Sequence, residues 1–142
     1  MARYDLRRST KAASLNLRMR HEYVKNLLDQ SLRGSSGHQY ELATEYLKGT
    51  NPLIPRSRIK AFFWFRRSAA QGFDYAIGML GNCYLLGHGV QKDEKEGFRL
   101  ISLFLIKCKL RAILQDLGHA SHEDDVIKIM METIFQYTGY VK

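Results

Sequence analysis

The chain is 142 residues long, 45% hydrophobic and 25% charged, the composition of one ordinary globular domain, which excludes a multidomain machine, a disordered chain and a collagen-like repeat. Lys and Arg number 22 against 14 Asp and Glu, a net charge of +8 that attracts nucleic acid, anionic lipid or an acidic protein surface without choosing among them. Both prolines, Pro52 and Pro55, fall in one window, which leaves the rest of the chain free to be helical and argues against an all-β sandwich.

The first twenty residues hold Arg3, Arg7, Arg8, Lys11, Arg18 and Arg20 against a single acid, Asp5. Such an acid-poor start has the composition of an organelle transit leader, but it runs directly into a helix-forming stretch and is read as part of it. A secretory leader is not expected, because the apolar h-region is missing, and no apolar run is long enough for a transmembrane helix. A cytoplasmic protein is the expectation. Leu15, Met19, Tyr23, Leu27 and Leu28 recur at spacings of three or four, which predicts one helix from about Leu6 to Leu32. Gly34, Ser35, Ser36 and Gly37 then stop it as a helix–helix turn, and the next helix is predicted to begin near His38.

From Tyr40 onward the sequence repeats itself. Leu42, Tyr46 and Gly49 recur as Leu80, Tyr84 and Gly87, and Ala61 and Phe62 recur as Gly97 and Phe98. The two spacings differ by the length of a loop, the stretch from Thr50 to Arg56 being longer than that from His88 to Lys92. A weaker third echo lays Leu117, Gly118 and His119 on Leu86, Gly87 and His88. In each unit a Leu and a Tyr one turn apart share a face of the first helix. Ala61, Trp64, Phe65 and Ala69 make one face of the second, with small residues allowing close approach while Trp64 fills volume. Gly49, Gly72, Gly87 and Gly89 stand where a chain leaving a helix needs a left-handed conformation, and Asp93 is placed to cap the next helix.

The run from Lys60 to Gly72, followed by Leu80, Gly81, Tyr84, Gly87, Gly89, Val90 and Asp93, resembles the Sel-one-like repeat, a relative of the tetratricopeptide repeat. The resemblance covers residues 38–106. It departs in three places: the first unit lacks the Gly-x-Gly-Val turn after Gly49, Glu96-Gly97 stands where Lys-Ala is usual, and Leu100 replaces the usual aromatic. The resemblance implies an all-α fold, a short α/α superhelical solenoid, with residues 1–34 as a capping helix, 38–106 as two repeats and 107–142 as a degenerate repeat or capping helices. It also implies a non-enzymatic adaptor that binds a protein or peptide.

Sequence features with chemical potential are few. Gly87-His88-Gly89 lacks the third glycine and preceding strand of a phosphate loop and reads as a turn. His119 and His122 with Glu123, Asp124 and Asp125 have metal-ligand spacing, but acids at a helix start answer to the helix dipole, so neither metal nor cofactor is expected. No nucleophile with an orienting base is visible. Cys83 and Cys108 have no C-x-x-C partner and read as packed thiols of a reducing compartment. The positive surface is more informative. Arg56, Arg58, Lys60, Arg66 and Arg67 are uninterrupted by any acid, and Arg66 and Arg67 flank the apolar face of the second helix. Arg56, Arg58, Arg66 and Arg67 with exposed Phe62 and Phe63 are the expected partner-binding rim, and an acidic protein or peptide the expected partner. Two other readings stay open: a dedicated bacterial inhibitor or immunity protein for one cognate partner, and a nucleic-acid-binding protein that clamps phosphates with its basic start.

Overall fold

The computed structural model describes the backbone of residues 2–116, 127 and 129–132, with side chains from Thr10 onward. Five helices follow in order: α1 (Ala2–Leu32), α2 (Ser36–Lys48), α3 (Arg58–Ala70), α4 (Asp74–Leu86) and α5 (Glu94–Asp116). Among the described residues the fold is all-α, and each helix packs against the next in sequence.

The repeat read from the sequence is present as backbone geometry. α2 ends at Gly49 (φ 63°) and α4 at Gly87 (φ 67°), each left-handed. A β-carbon at either position would be strained, and one at Gly49 would also collide with Arg56. The chain then turns back identically in both units, because the amide of Ser57 donates to the Tyr46 carbonyl and that of Asp93 to the Tyr84 carbonyl, each at 2.9 Å. These same two residues cap the following helices: Ser57 Oγ accepts from the Lys60 amide at 3.3 Å, and Asp93 Oδ1 from the Glu96 amide at 3.0 Å. Each cap contributes on the order of 1 kcal/mol.

Between the hairpins lies one continuous core. Leu42, Ala43, Ala61 and Phe65 are fully buried, with Trp64, Leu80 and Leu100 nearly so, and Tyr46 and Tyr84 pack half-buried against them. The face predicted for α3 holds, with Ser68 buried where its hydroxyl donates to the Ser36 carbonyl at 2.7 Å. A buried hydroxyl at that site needs such a partner, and the bond ties the end of α3 to the start of α2.

Two features differ from the sequence reading. The α1 face that packs on α2 is formed by Val24, Leu27, Leu28 and Ser31, whereas Leu15, Met19 and Tyr23, predicted on that face, are exposed. The reason is rotational: residues four apart drift by about 40° around the helix, so the stripe starts at Leu15 on the side away from α2 and reaches the face that meets α2 only at Leu27. The second difference is α2, which starts at Ser36 rather than His38 because Ser35 takes the N-cap position, its hydroxyl 2.7 Å from His38 Nδ1.

α5 is longer than α3. Where Gly72 (φ 83°) ends the first repeat, the corresponding residue of the second is Cys108, which has no easy access to that conformation, and the helix continues to Asp116. Its second half carries a small separate core in which Leu110 and Leu114 meet Ile127 and Met131. The third echo around Leu117, Gly118 and His119, and the cluster from His119 to Asp125, lie outside the described residues.

Candidate interaction surface

α3 presents its outer side through Ile59, Phe63 and Arg67, one turn apart. Ile59 is 73% and Phe63 50% exposed. The Arg67 guanidinium lies over two rings, 5.7 Å from the centre of Phe63 and 5.4 Å from that of Trp64, while the rings meet edge-on at 5.2 Å. Cation–π contacts of this kind hold an exposed arginine in one orientation, contributing about 0.5–1 kcal/mol. Arg66 is exposed beside it.

The six residues expected to form one rim separate into two groups and one core residue. Phe62 is not on the surface rim: it is half-buried, its ring edge-on to Tyr84 at 5.5 Å and 88°, stitching α3 to α4. Phe62 and Phe63 are adjacent, so a helix must point them about 100° apart, and only one can face outward. Arg56 and Arg58, both exposed, lie at the opposite end of α3 from Arg66 and Arg67, roughly 12 Å along the axis. There the Arg58 carbonyl abuts Gly89 (φ 74°), where any β-carbon would collide. Desolvation, with Arg58 and Arg56 close by, holds the His88 imidazole below its ordinary range. The sequence reading missed Ile59, whose signal was its four-residue spacing from Phe63.

A second concave region lies where the repeats meet α5. A cavity of 610 Å³ is lined by apolar Ile77, Leu103, Ile127 and Met131 and by the cations Lys107 and Arg111. Asp74, the first residue of α4, holds both cations: Lys107 Nζ is 2.7 Å from Oδ1 and Arg111 Nη2 is 2.9 Å from Oδ2. The lysine contact is a charge contact rather than an aligned hydrogen bond. Next to it an aromatic row runs from Tyr40 through Phe73 and Tyr75 to Phe104, with centroid separations of 5.3, 6.2 and 5.9 Å. Tyr75 is 62% exposed. Sequence spacing gave no hint of this grouping, since Asp74 and Arg111 come from different helices.

Among the described residues no three His, Cys, Asp or Glu side chains are grouped to hold a metal ion. Burial pushes the Cys83 thiol up to about 11, so it is a protonated, unreactive group at neutral pH. No described helix is long and apolar enough to cross a membrane.

With this geometry in view, the Sel1 repeat family model matches residues 39–73 and 74–103, the first span taking in α2 and α3 and the second α4 and the first half of α5. These helices are two Sel1 repeats. The crystal structure of c5321, a protective antigen present in uropathogenic Escherichia coli strains displaying an SLR fold, is similar at 29% sequence identity and a TM-score of 0.52 over 70% of this chain. The match takes in 21% of that protein, so the chain spans about a fifth of its length. No curated protein matches the sequence. Sel1 repeats are in general protein–protein interaction modules.

Proposed function

We propose that the chain is a non-enzymatic adaptor that binds an acidic protein or peptide, with α1 as the cap of the Sel1 pair and residues 107–142 as its C-terminal cap or degenerate repeat. The observation that supports this most directly is the Ile59, Phe63 and Arg67 row on α3, where an arginine already ordered over two rings stands next to exposed apolar surface and a second arginine. Arginine and aromatics side by side are the composition of interface hot spots, and an ordered guanidinium loses little freedom on binding. The net charge of +8 favours an acidic partner by steering. Arg56 and Arg58 supply a second basic contact at the far end of the same helix.

Affinity capture with the wild-type chain and with Arg66→Glu/Arg67→Glu tests the reading. Loss of a specific protein on charge reversal supports it; retention of every specific partner makes the rim ordinary surface and overturns it. Fluorescence anisotropy with a random duplex at low and high salt tests the nucleic-acid alternative, which would require salt-sensitive binding.

A further inference from the structure

α1 is longer than its place in the fold requires. Its closing turn repeats that of α3 by a shift of 38 positions: Gly34 (φ 99°) donates to the Ser31 carbonyl and Ser35 to that of Gln30, as Gly72 (φ 83°) donates to Ala69 and Phe73 to Ser68. The following helices start at Ser36 and Asp74, the same shift apart. By this shift the α1 residues buried against α2, Val24, Leu27 and Ser31, coincide with Phe62, Phe65 and Ala69 of α3, and Phe62 is the residue that meets α4. α1 is therefore the second helix of a preceding half-repeat, ahead of the span the Sel1 family model matches. The start of α3, Arg58, falls on Arg20. Residues 2–19 overhang the stack by about 27 Å, at 1.5 Å per residue.

The overhang and the turn that follows carry an apolar stripe that lies outside the described core: Leu15 is 58%, Met19 65% and Tyr23 40% exposed, each one turn from the next. A helix unsupported by packing is marginal in water, so a stripe like this is stabilised by a partner. The charges beside the stripe decide which. Lys11, Arg18, Glu22 and Asp29 lie on one flank, within about 40° of one another around the helix axis; before Met19 the charges are positive, whereas after it Glu22 is acidic and Asp29 is already paired with Arg33 at 3.0 Å. Lys25 is on the same flank. On the other side Glu41 of α2 accepts the Tyr23 hydroxyl at 2.7 Å.

We propose that this stripe is a homodimer interface, in which α1 packs antiparallel on α1 of a second copy about a two-fold axis at Met19. That arrangement sets Leu15 opposite Tyr23 of the second copy and brings Arg18 to its Glu22, and symmetry forms each pair twice. Parallel pairing would put Arg18 against Arg18. An anionic bilayer, or a uniformly acidic helix, would meet Glu22 and Glu41 at the edge of the stripe.

Sedimentation of the full chain tests this. The wild type is expected to dimerise, Met19→Glu to weaken the dimer by about tenfold or more with helix content unchanged, and Arg18→Glu or Glu22→Arg to weaken it singly while the double exchange restores it. In a Cys108→Ser background, Met19→Cys is expected to form a disulfide-linked dimer on mild oxidation, and Leu17→Cys, on the other side of the helix, to remain monomeric. A wild type that stays monomeric throughout the accessible concentration range overturns the proposal. So does equal cross-linking at positions 17 and 19. Binding of the monomer to phosphatidylglycerol vesicles that Met19→Glu abolishes assigns the stripe to a bilayer and overturns it as well.

Discussion

Gly81 of α4 and Gly97 of α5 face each other so closely that a β-carbon on either would stand against the other's carbonyl oxygen, at 3.0 Å from Gly97 O and 2.9 Å from Gly81 O. The equivalent positions of the first repeat are Ala43 and Ala61, both fully buried. The second hairpin has thus exchanged an alanine pair for a glycine pair, with Leu85 and Ile101 filling the space that the missing methyl groups leave.

Gly97→Ala restores the residue usual in the repeat and is nonetheless expected to destabilise the protein. The added carbon would lie 2.7 Å from the Leu85 side chain as well as against the Gly81 carbonyl. Overpacking of this kind costs about 1–3 kcal/mol, of which the better helix propensity of alanine returns up to about 1 kcal/mol. Urea denaturation measures the difference, and a midpoint equal to or above wild type would show that α4 and α5 separate freely.

Asp74→Asn is expected to lower stability by about 1–3 kcal/mol, because it leaves Lys107 and Arg111 facing an amide in a largely enclosed site. The carboxylate is 14% exposed and the lysine 18%, so solvent screens the pair only in part. Asp74 also opens α4, where a negative charge favours the helix dipole. Thermal unfolding checks this, and an unchanged midpoint would reduce the triad to surface decoration.

Cys83 is expected to resist alkylation in the folded protein at neutral pH, while the half-buried Cys108 is modified first. Burial of the Cys83 side chain, 2% exposed, both blocks access and pushes its thiol up to about 11, which leaves almost no thiolate. Mass spectrometry after iodoacetamide treatment, with and without denaturant, reads out each site. Rapid native labelling of Cys83 would indicate that α4 opens locally.

Glu96 and Arg99 form a two-pronged pair at 2.8 and 2.6 Å. The hydrogen bonds from Arg99 hold the Glu96 carboxyl below its ordinary range. A carboxyl depressed on folding contributes stability that is present above the unfolded value, about 4.3, and is lost as pH falls through the lower folded value. Glu96→Gln is therefore expected to cost under about 1 kcal/mol at neutral pH, given how much solvent reaches the pair, and nothing in strong acid. Denaturation curves across acid pH measure it, and a gap that widens as pH falls would reverse the assignment.

The local code for turning was legible in the sequence. Gly49, Gly72, Gly87 and Gly89 all take the left-handed conformation expected of them, and Asp93 caps α5, because these demands act within a few residues and leave a fixed signature in residue type. The repeat followed from Tyr46 and Tyr84 for the same reason, their carbonyls closing the same turn twice. Which side of a helix meets its neighbour was decided only in three dimensions. Phe62 and Phe63 are alike as residues, yet α4 covers the first and leaves the second to Arg67; Leu15 and Leu27 share a sequence period, yet only Leu27 lies within reach of α2. The grouping of Asp74 with Lys107 and Arg111 depends on how α5 lies across α4, a long-range packing outcome that neighbouring residues do not encode.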